Sequence, residues 1–171
     1  MIEEGDVICL SGGSTTFMIA KYLKRRSGIT VVTNAVNIAM ELGDSDGIQV
    51  VVIGGVMRNN NYELSGPLAE EMVERLHIGK TFLGIDGLSV ERGIMTYSET
   101  EAHIARMIIR RSQETYAVFD HTKFGKTSLF SVVPLQELTG GVTDWSMDAV
   151  AAEKLRECGW KLHIASKEIN D

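Results

Sequence analysis

Four consecutive apolar residues, Val7-Ile8-Cys9-Leu10, run directly into Ser11-Gly12-Gly13-Ser14-Thr15-Thr16. An apolar run of this kind reads as a strand buried on both faces, which only a sheet covered on each side provides. Beyond the glycines, Thr16, Ile19, Ala20 and Leu23 recur at helical spacing, so a helix starts near Ser14 or Thr15. A strand, a hydroxyl-rich glycine turn and a helix start together make an anion site. The first helical turn has spare N–H groups and a partial positive charge, and the glycines allow close backbone approach. The natural ligand is a phosphate monoester. The turn lacks the Gly-Lys-Ser/Thr ending of a Walker A loop and is not a Gly-x-Gly-x-x-Gly fingerprint. Read by itself it serves either as a phosphate cradle or as a helix start capped by Ser14.

Strands and helices alternate along the rest of the chain. Thr30–Thr33 is a short strand, and a helix begins at Asn34 and carries Ile38, Ala39 and Leu42. Gln49–Ile53 is a third buried strand, ended by Gly54-Gly55. Pro67 opens a helix over Leu68–Leu76. Thr81–Ile85 is a strand running into Asp86-Gly87, and a polar loop leads to a helix over Glu99–Arg111. Thr115–Phe119 is a further strand, followed by Asp120-His121-Thr122-Lys123-Phe124-Gly125. Apolar pieces near Val132 and Val142, a helix over Asp148–Glu157 and a strand over Lys161–Ala165 close the pattern. This order predicts an α/β fold, a Rossmann-like, mostly parallel sheet with helices on both faces. Ligands of such sheets sit outside the carboxyl ends of the strands. Ser11–Thr16, Thr33-Asn34, Gly54-Gly55, Asp86 and Lys123 all fall at such ends, and the loop over Met57–Gly66 is their candidate cover.

Each of these residues has a plainer role open to it. Asn34 either caps the second helix or faces the crevice, and Gly54 and Gly55 serve a tight turn or ligand approach. Asp86 is an acceptor for sugar hydroxyls or a general base, or half of an Asp-Gly turn. Lys123 reaches a phosphate as a point charge or stays in solvent. Glu101, beside Glu99, suits a helix N-terminus without any ligand. The histidines at 77, 103, 121 and 163 show no metal-ligand spacing, so no metal and no cofactor is expected. With 171 residues the chain predicts one domain over 1–171. No apolar run approaches the ~20 residues of a membrane span. Cys9 and Cys158 read as structural thiols of a reducing, cytoplasmic compartment. A net charge of −6 argues against nucleic-acid binding by this domain's own surface.

Taken in order, Gly12-Gly13-Ser14-Thr15-Thr16, Val32-Thr33-Asn34, Ile53-Gly54-Gly55, Ser65-Gly66-Pro67, Phe82-Leu83-Gly84 with Asp86-Gly87, Glu101-Ala102 and Asp120 to Gly125 resemble the C-terminal effector-sensing domain of DeoR-type bacterial transcriptional repressors. The resemblance runs from about Glu4 to Ala165. It implies the fold of ribose-5-phosphate isomerase, glucosamine-6-phosphate deaminase and CoA transferases. By that likeness Gly12, Gly13, Ser14, Thr15, Thr16 and Lys123 hold the phosphate of a phosphorylated sugar or related metabolite. Asp86, with Asn34 and Glu101, meets the sugar hydroxyls, and Ser11, Gly54 and Gly55 complete the pocket. The pattern departs from the family in two places. Ser11 stands where members usually carry Asp, which implies a different effector or a different mode of binding. The family's N-terminal winged helix-turn-helix is also missing: either this is the sensor of a longer repressor, or the protein works without its own DNA reader, and DNA is expected only through that missing domain.

Three functions follow. The first is a sensor, a homodimer or homotetramer, whose occupancy controls DNA binding. The second is an aldose–ketose isomerase with Asp86 or Glu101 as base, disfavoured because Asp86-Gly87-Leu88-Ser89 lacks the richer acid and glycine set of those enzymes. The third is an oligomerisation module with a vestigial pocket.

Overall fold

In the computed structural model, which describes residues 1–59 and 61–167, the opening apolar run sits at the centre of the molecule. The elements are, in order, β1 (Val7–Leu10), α1 (Ser14–Leu23), β2 (Ile29–Thr33), α2 (Val36–Leu42), β3 (Ile48–Val52), β4 (Val56–Met57), β5 (Leu64–Ser65), α3 (Pro67–Glu74), β6 (Ile78–Gly84), β7 (Gly87–Ser89), β8 (Gly93–Thr96), α4 (Glu99–Arg110), β9 (Ser112–Val118), β10 (Phe130–Val133), β11 (Gly140–Thr143), α5 (Ala149–Glu157) and β12 (Lys161–Ile164). Short 3₁₀ turns at His121–Lys123 and Leu135–Glu137 flank β10. Seven strands form one sheet in the order β12-β11-β9-β6-β1-β2-β3. Every pairing in it is parallel.

The period-two geometry of β1 explains its unbroken apolar sequence. Ile8 and Leu10 pack with Ala20, Leu23, Ile38 and Leu42 of α1 and α2 on one face. Cys9 packs on the opposite face with Ala69, Val73, Ile104 and Ile108 of α3 and α4. All three strand residues are fully buried. A larger cluster continues that second face through Leu83, Ala117 and Phe119 to α5. The chain thus forms the expected α/β sheet covered on both faces.

The details differ in three places. β3 is not a fully buried strand but the edge of the sheet, and Val52 is 41% exposed, because β2 is its only neighbour. The second helix starts at Val36, so Asn34 is not its cap; Ala35 takes that position without a side-chain bond. The stretch before α4 is not a plain loop. β7 and β8 pair antiparallel, and β10 joins them in a small three-stranded sheet. Leu88, Ile94, Val132 and Val133 tie it to the core.

From β1 the chain steps outward through β2 and β3; it then returns to the other side of β1 and steps outward through β6, β9, β11 and β12. The direction of travel reverses between β1 and β6. The strand ends diverge there and leave a crevice beyond the carboxyl edge.

Candidate binding site

A crevice of about 450 Å³ lies at this switch point. That volume suits a small metabolite. Its floor is main chain. Ser11 Oγ accepts from Gly84 N at 2.9 Å, tying the turn after β1 to the end of β6. A Cβ on Gly84 would lie 2.5 Å from the Gly12 carbonyl oxygen, so this close approach requires glycine. Gly13 has φ 128°, in the region that favours glycine, and it occupies the N-cap of α1. Among the described residues no side chain caps that helix. Ser14 is its first residue rather than its cap, and the first-turn N–H groups have no acceptor inside the helix. Ser14 and Thr15 line the crevice. Thr16 does not: its fully buried hydroxyl donates to Gly13 O at 2.9 Å and braces the turn from within.

Lys123 enters from the 3₁₀ turn after β9 and lines the same space. Asp120 caps that turn, accepting from Thr122 N at 2.9 Å. Burial raises the pKa of Asp120, but the Thr122 hydrogen bonds and the nearby Lys123 charge outweigh it and hold the carboxyl below its ordinary range. Among the described residues the Lys123 ammonium has no ion pair.

The facing wall is built of carboxylates. Asp86 Oδ2 accepts from Tyr97 N at 3.1 Å and from Thr96 Oγ1 at 3.0 Å. Thr96 Oγ1 also lies 2.6 Å from Glu101 Oε2, so one hydroxyl proton serves two acids. Glu101 stands in the first turn of α4, its position set by the Ser98 cap. Its other oxygen accepts from Arg58 Nη1 at 2.8 Å and from Asn61 Nδ2. Asn61 Nδ2 is also 2.6 Å from Glu63 Oε2, and Glu63 Oε1 accepts from Gly12 N at 2.7 Å. Arg58, Asn61 and Glu63 belong to the hairpin between β4 and β5, which folds across from the β3 side. Glu63 is only 8% exposed. Burial, and then the Glu101 charge, push its pKa up to about 7 against the opposing pull of the Gly12 amide and Arg58. Asn34 completes the edge. Its amide donates to Leu64 O at 3.2 Å, while its Oδ1 is buried without a partner among the described residues.

Of the residues singled out in the sequence, Ser11, Gly12, Gly13, Ser14, Thr15, Asn34, Asp86, Glu101 and Lys123 line one crevice. Gly54 and Gly55 do not. Gly55 has φ 135° and packs under the hairpin, where a Cβ would meet Ser65 O at 2.5 Å. The hairpin loop reaches the crevice as the sequence suggested for a cover, but its Arg58, Asn61 and Glu63, with Thr96 and Tyr97, were not distinguished there. One signal existed: Arg58 and Glu63 are the only charged residues between Asp46 and Glu70. Ser11 brings no carboxylate to the turn, yet one arrives from Glu63. Among the described residues no group of three His, Cys, Asp or Glu side chains is placed to share a metal ion. No helix among them is long and apolar enough to cross a membrane.

Comparison with known proteins identifies the family. The family model for the DeoR C terminal sensor domain matches residues 1–145. The transcriptional repressor AccR of Agrobacterium fabrum is 33% identical over 161 residues, covering 92% of this chain and 62% of that protein. The HTH-type transcriptional regulator GlpR of Haloferax volcanii is 32% identical over 158 residues, with 92% and 62% covered. The HTH-type transcriptional repressor GlcR of Bacillus subtilis is 29% identical over 168 residues, with 98% and 64% covered. The chain spans less than two thirds of the length of each. These relatives are named as regulators, not enzymes. Among solved structures, ribose 5-phosphate isomerase A of Methanocaldococcus jannaschii superposes with TM-score 0.52 at 14% identity over 72% of this chain and 48% of that one. The eIF2B beta subunit of Chaetomium thermophilum gives TM-score 0.52 at 14% identity over 82% and 44%. Those likenesses extend to the fold.

Proposed function

The chain belongs to the family of DeoR C-terminal sensor domains, and from that premise we propose that its crevice binds a phosphorylated sugar or a closely similar metabolite. The phosphate meets the amides and hydroxyls of Gly12 to Thr15 together with Lys123, and the sugar hydroxyls meet Asp86, Asn34 and Glu101. The observation that carries this reading is the pairing of opposites across one small space. An uncapped helix start and an ammonium without an ion pair stand on one side, and a set of carboxylates on the other. A ligand anionic at one end and rich in hydroxyls at the other complements both.

Occupancy then alters DNA binding by a helix-turn-helix domain of the whole protein, in the cytoplasm and within a homodimer or homotetramer. Such coupling requires the ligand to bind two arrangements with different affinity. The β4–β5 hairpin supplies an element able to differ: main-chain bonds tie it to Asn34 and Val36, while Arg58, Asn61 and Glu63 meet the crevice through their side chains. Closed symmetry is the usual form for such assemblies. A solution mass of one chain at every concentration would remove the oligomer from the proposal.

A thermal-shift screen with matched sugars and their phosphate esters tests the ligand. At a hundredfold excess over Kd, stabilisation is about 2.7 kcal/mol. For a domain of this size that corresponds to roughly 5–10 °C in Tm. The expected result is a shift with one ester and none with its parent sugar. No shift with any ester overturns the reading.

A further inference from the structure

The turn that would receive a phosphate already holds an anionic group of the chain's own. Glu63 Oε1 lies 2.7 Å from Gly12 N. Its side chain lies flat on that glycine, so closely that a Cβ there would fall 2.4 Å from Glu63 Cγ. The carboxyl is buried, and among the described residues no cation bonds it directly, because the Arg58 guanidinium is spent on Glu101. The groups around it come from every neighbouring element. The α1 turn offers the Gly12 amide, the hairpin offers Arg58 and Asn61, α4 brings Glu101 and the end of β6 brings Asp86. From β1 the buried Cys9 thiol adds nothing ionic, since burial pushes its pKa up to about 12. A dianion placed on the same turn would therefore meet a third carboxylate beside Asp86 and Glu101, with Arg58 already paired.

We propose that Glu63 sets the charge specificity of the crevice: a dianionic group is admitted to the glycine turn only as Glu63 takes up a proton, and the protonated carboxyl then donates to an oxygen of the ligand. This rests on the phosphate reading above and deepens it. The proton moves from solvent to a Glu63 carboxylate oxygen, and Gly12 N–H passes from Glu63 to the ligand. The group is poised for the change, because like charge and burial already place its titration near neutrality. Affinity for a dianion consequently falls as pH rises above 7, with a limiting slope of one proton, or about tenfold per pH unit.

Inorganic sulfate is the probe, since it stays doubly charged where phosphate itself titrates. Sulfate titrations at constant ionic strength, followed by the ¹H–¹⁵N signals of Gly12, Gly13 and Ser14, compare the chain with Glu63→Gln at pH 6.5, 7.5 and 8.5. Affinity of the unaltered chain is expected to fall roughly tenfold between the upper two values. Glu63→Gln, which keeps an acceptor for Gly12 N–H, gives a flat profile and the tighter binding at pH 8.5. Calorimetry of the unaltered chain in two buffers of different ionisation enthalpy needs no variant and is expected to show proton uptake at pH 7.5. Equal pH profiles for both proteins, or no proton uptake, overturn the role of Glu63 and leave the phosphate site standing. Failure of both proteins to bind sulfate, inorganic phosphate or any sugar phosphate at every pH overturns the two together.

Discussion

The two walls of the crevice are built on opposite plans. The turn from Ser11 to Thr15 offers main-chain donors and hydroxyls, with an ammonium from Lys123; Gly84 and Glu63 engage Ser11 and Gly12, while the helix start beyond them has no side-chain cap among the described residues. The facing wall of Asp86, Thr96, Glu101, Arg58, Asn61 and Glu63 is a connected set in which each side chain bonds another, and Glu63 carries it across to Gly12. The helix starts at the two walls differ likewise, α2 and α3 also beginning without a side-chain cap. α4 begins on Ser98, whose hydroxyl accepts from Glu101 N, and α5 begins on Asp148, which accepts from Ala151 N. α1 begins on a glycine with no side-chain acceptor. The contrast teaches where a ligand gains and where it is chosen. At the first wall it satisfies helix-start amides that no described side chain caps, taking Gly12 N–H from Glu63; at the second it must match or rearrange bonds already made.

The largest effect expected from breaking this contrast belongs to Glu63. Its folded pKa, about 7, lies above the ordinary 4.5, so the folded state holds its proton more tightly than the unfolded chain does. The associated stability is full below about pH 4.5 and is lost as pH rises through 7, to a total of about 3 kcal/mol. Urea melts at pH 5 and pH 8 should therefore show Glu63→Gln gaining on the parent by up to that amount as pH rises. Next comes Gly84→Ala, whose methyl would press on the Gly12 carbonyl from 2.5 Å. Forcing the turn off β6 is expected to cost about 2 kcal/mol in denaturant midpoints and to weaken any phosphate-bearing ligand. The two helix starts then sharpen the comparison directly. Ser98→Ala removes a used cap and should cost about 1 kcal/mol, whereas Ser14→Ala removes none and should cost under about 0.5 kcal/mol. The smallest change in stability is expected for Lys123→Ala, within about 0.5 kcal/mol, accompanied by a clear loss of affinity for phosphate esters over their parent sugars. A large loss of stability in that variant would make Lys123 a structural residue.

The first wall was legible in the sequence because it is local. A buried strand, a glycine turn and a helix start follow one another within Val7–Leu23, and hydrophobic period together with turn chemistry locate each. The α/β order was legible for the same reason. The second wall was legible only at Asp86 and Glu101, which sit at a strand end and a helix start. Glu63 reaches Gly12 across 51 positions, carried by a hairpin whose strands have two residues each, too short for any period to mark. Thr96 and Tyr97 were hidden in the same way by the short β7–β8 pair. In sequence Asn34 suits a cap or a crevice residue; in the fold the Thr33 hydroxyl accepts from the Ala35 amide and the helix starts later, at Val36.

The floor of the crevice is main chain pressed against main chain, with Gly12 lying over Gly84. An amide cannot be exchanged by a point mutation, and Gly84 admits no larger residue without moving the Gly12 main chain. A lineage that keeps this floor keeps the same main-chain donors while ligands change. New preferences would then be written at positions 58, 61 and 63, where a single codon alters charge, reach and hydrogen-bonding sense without disturbing the sheet below.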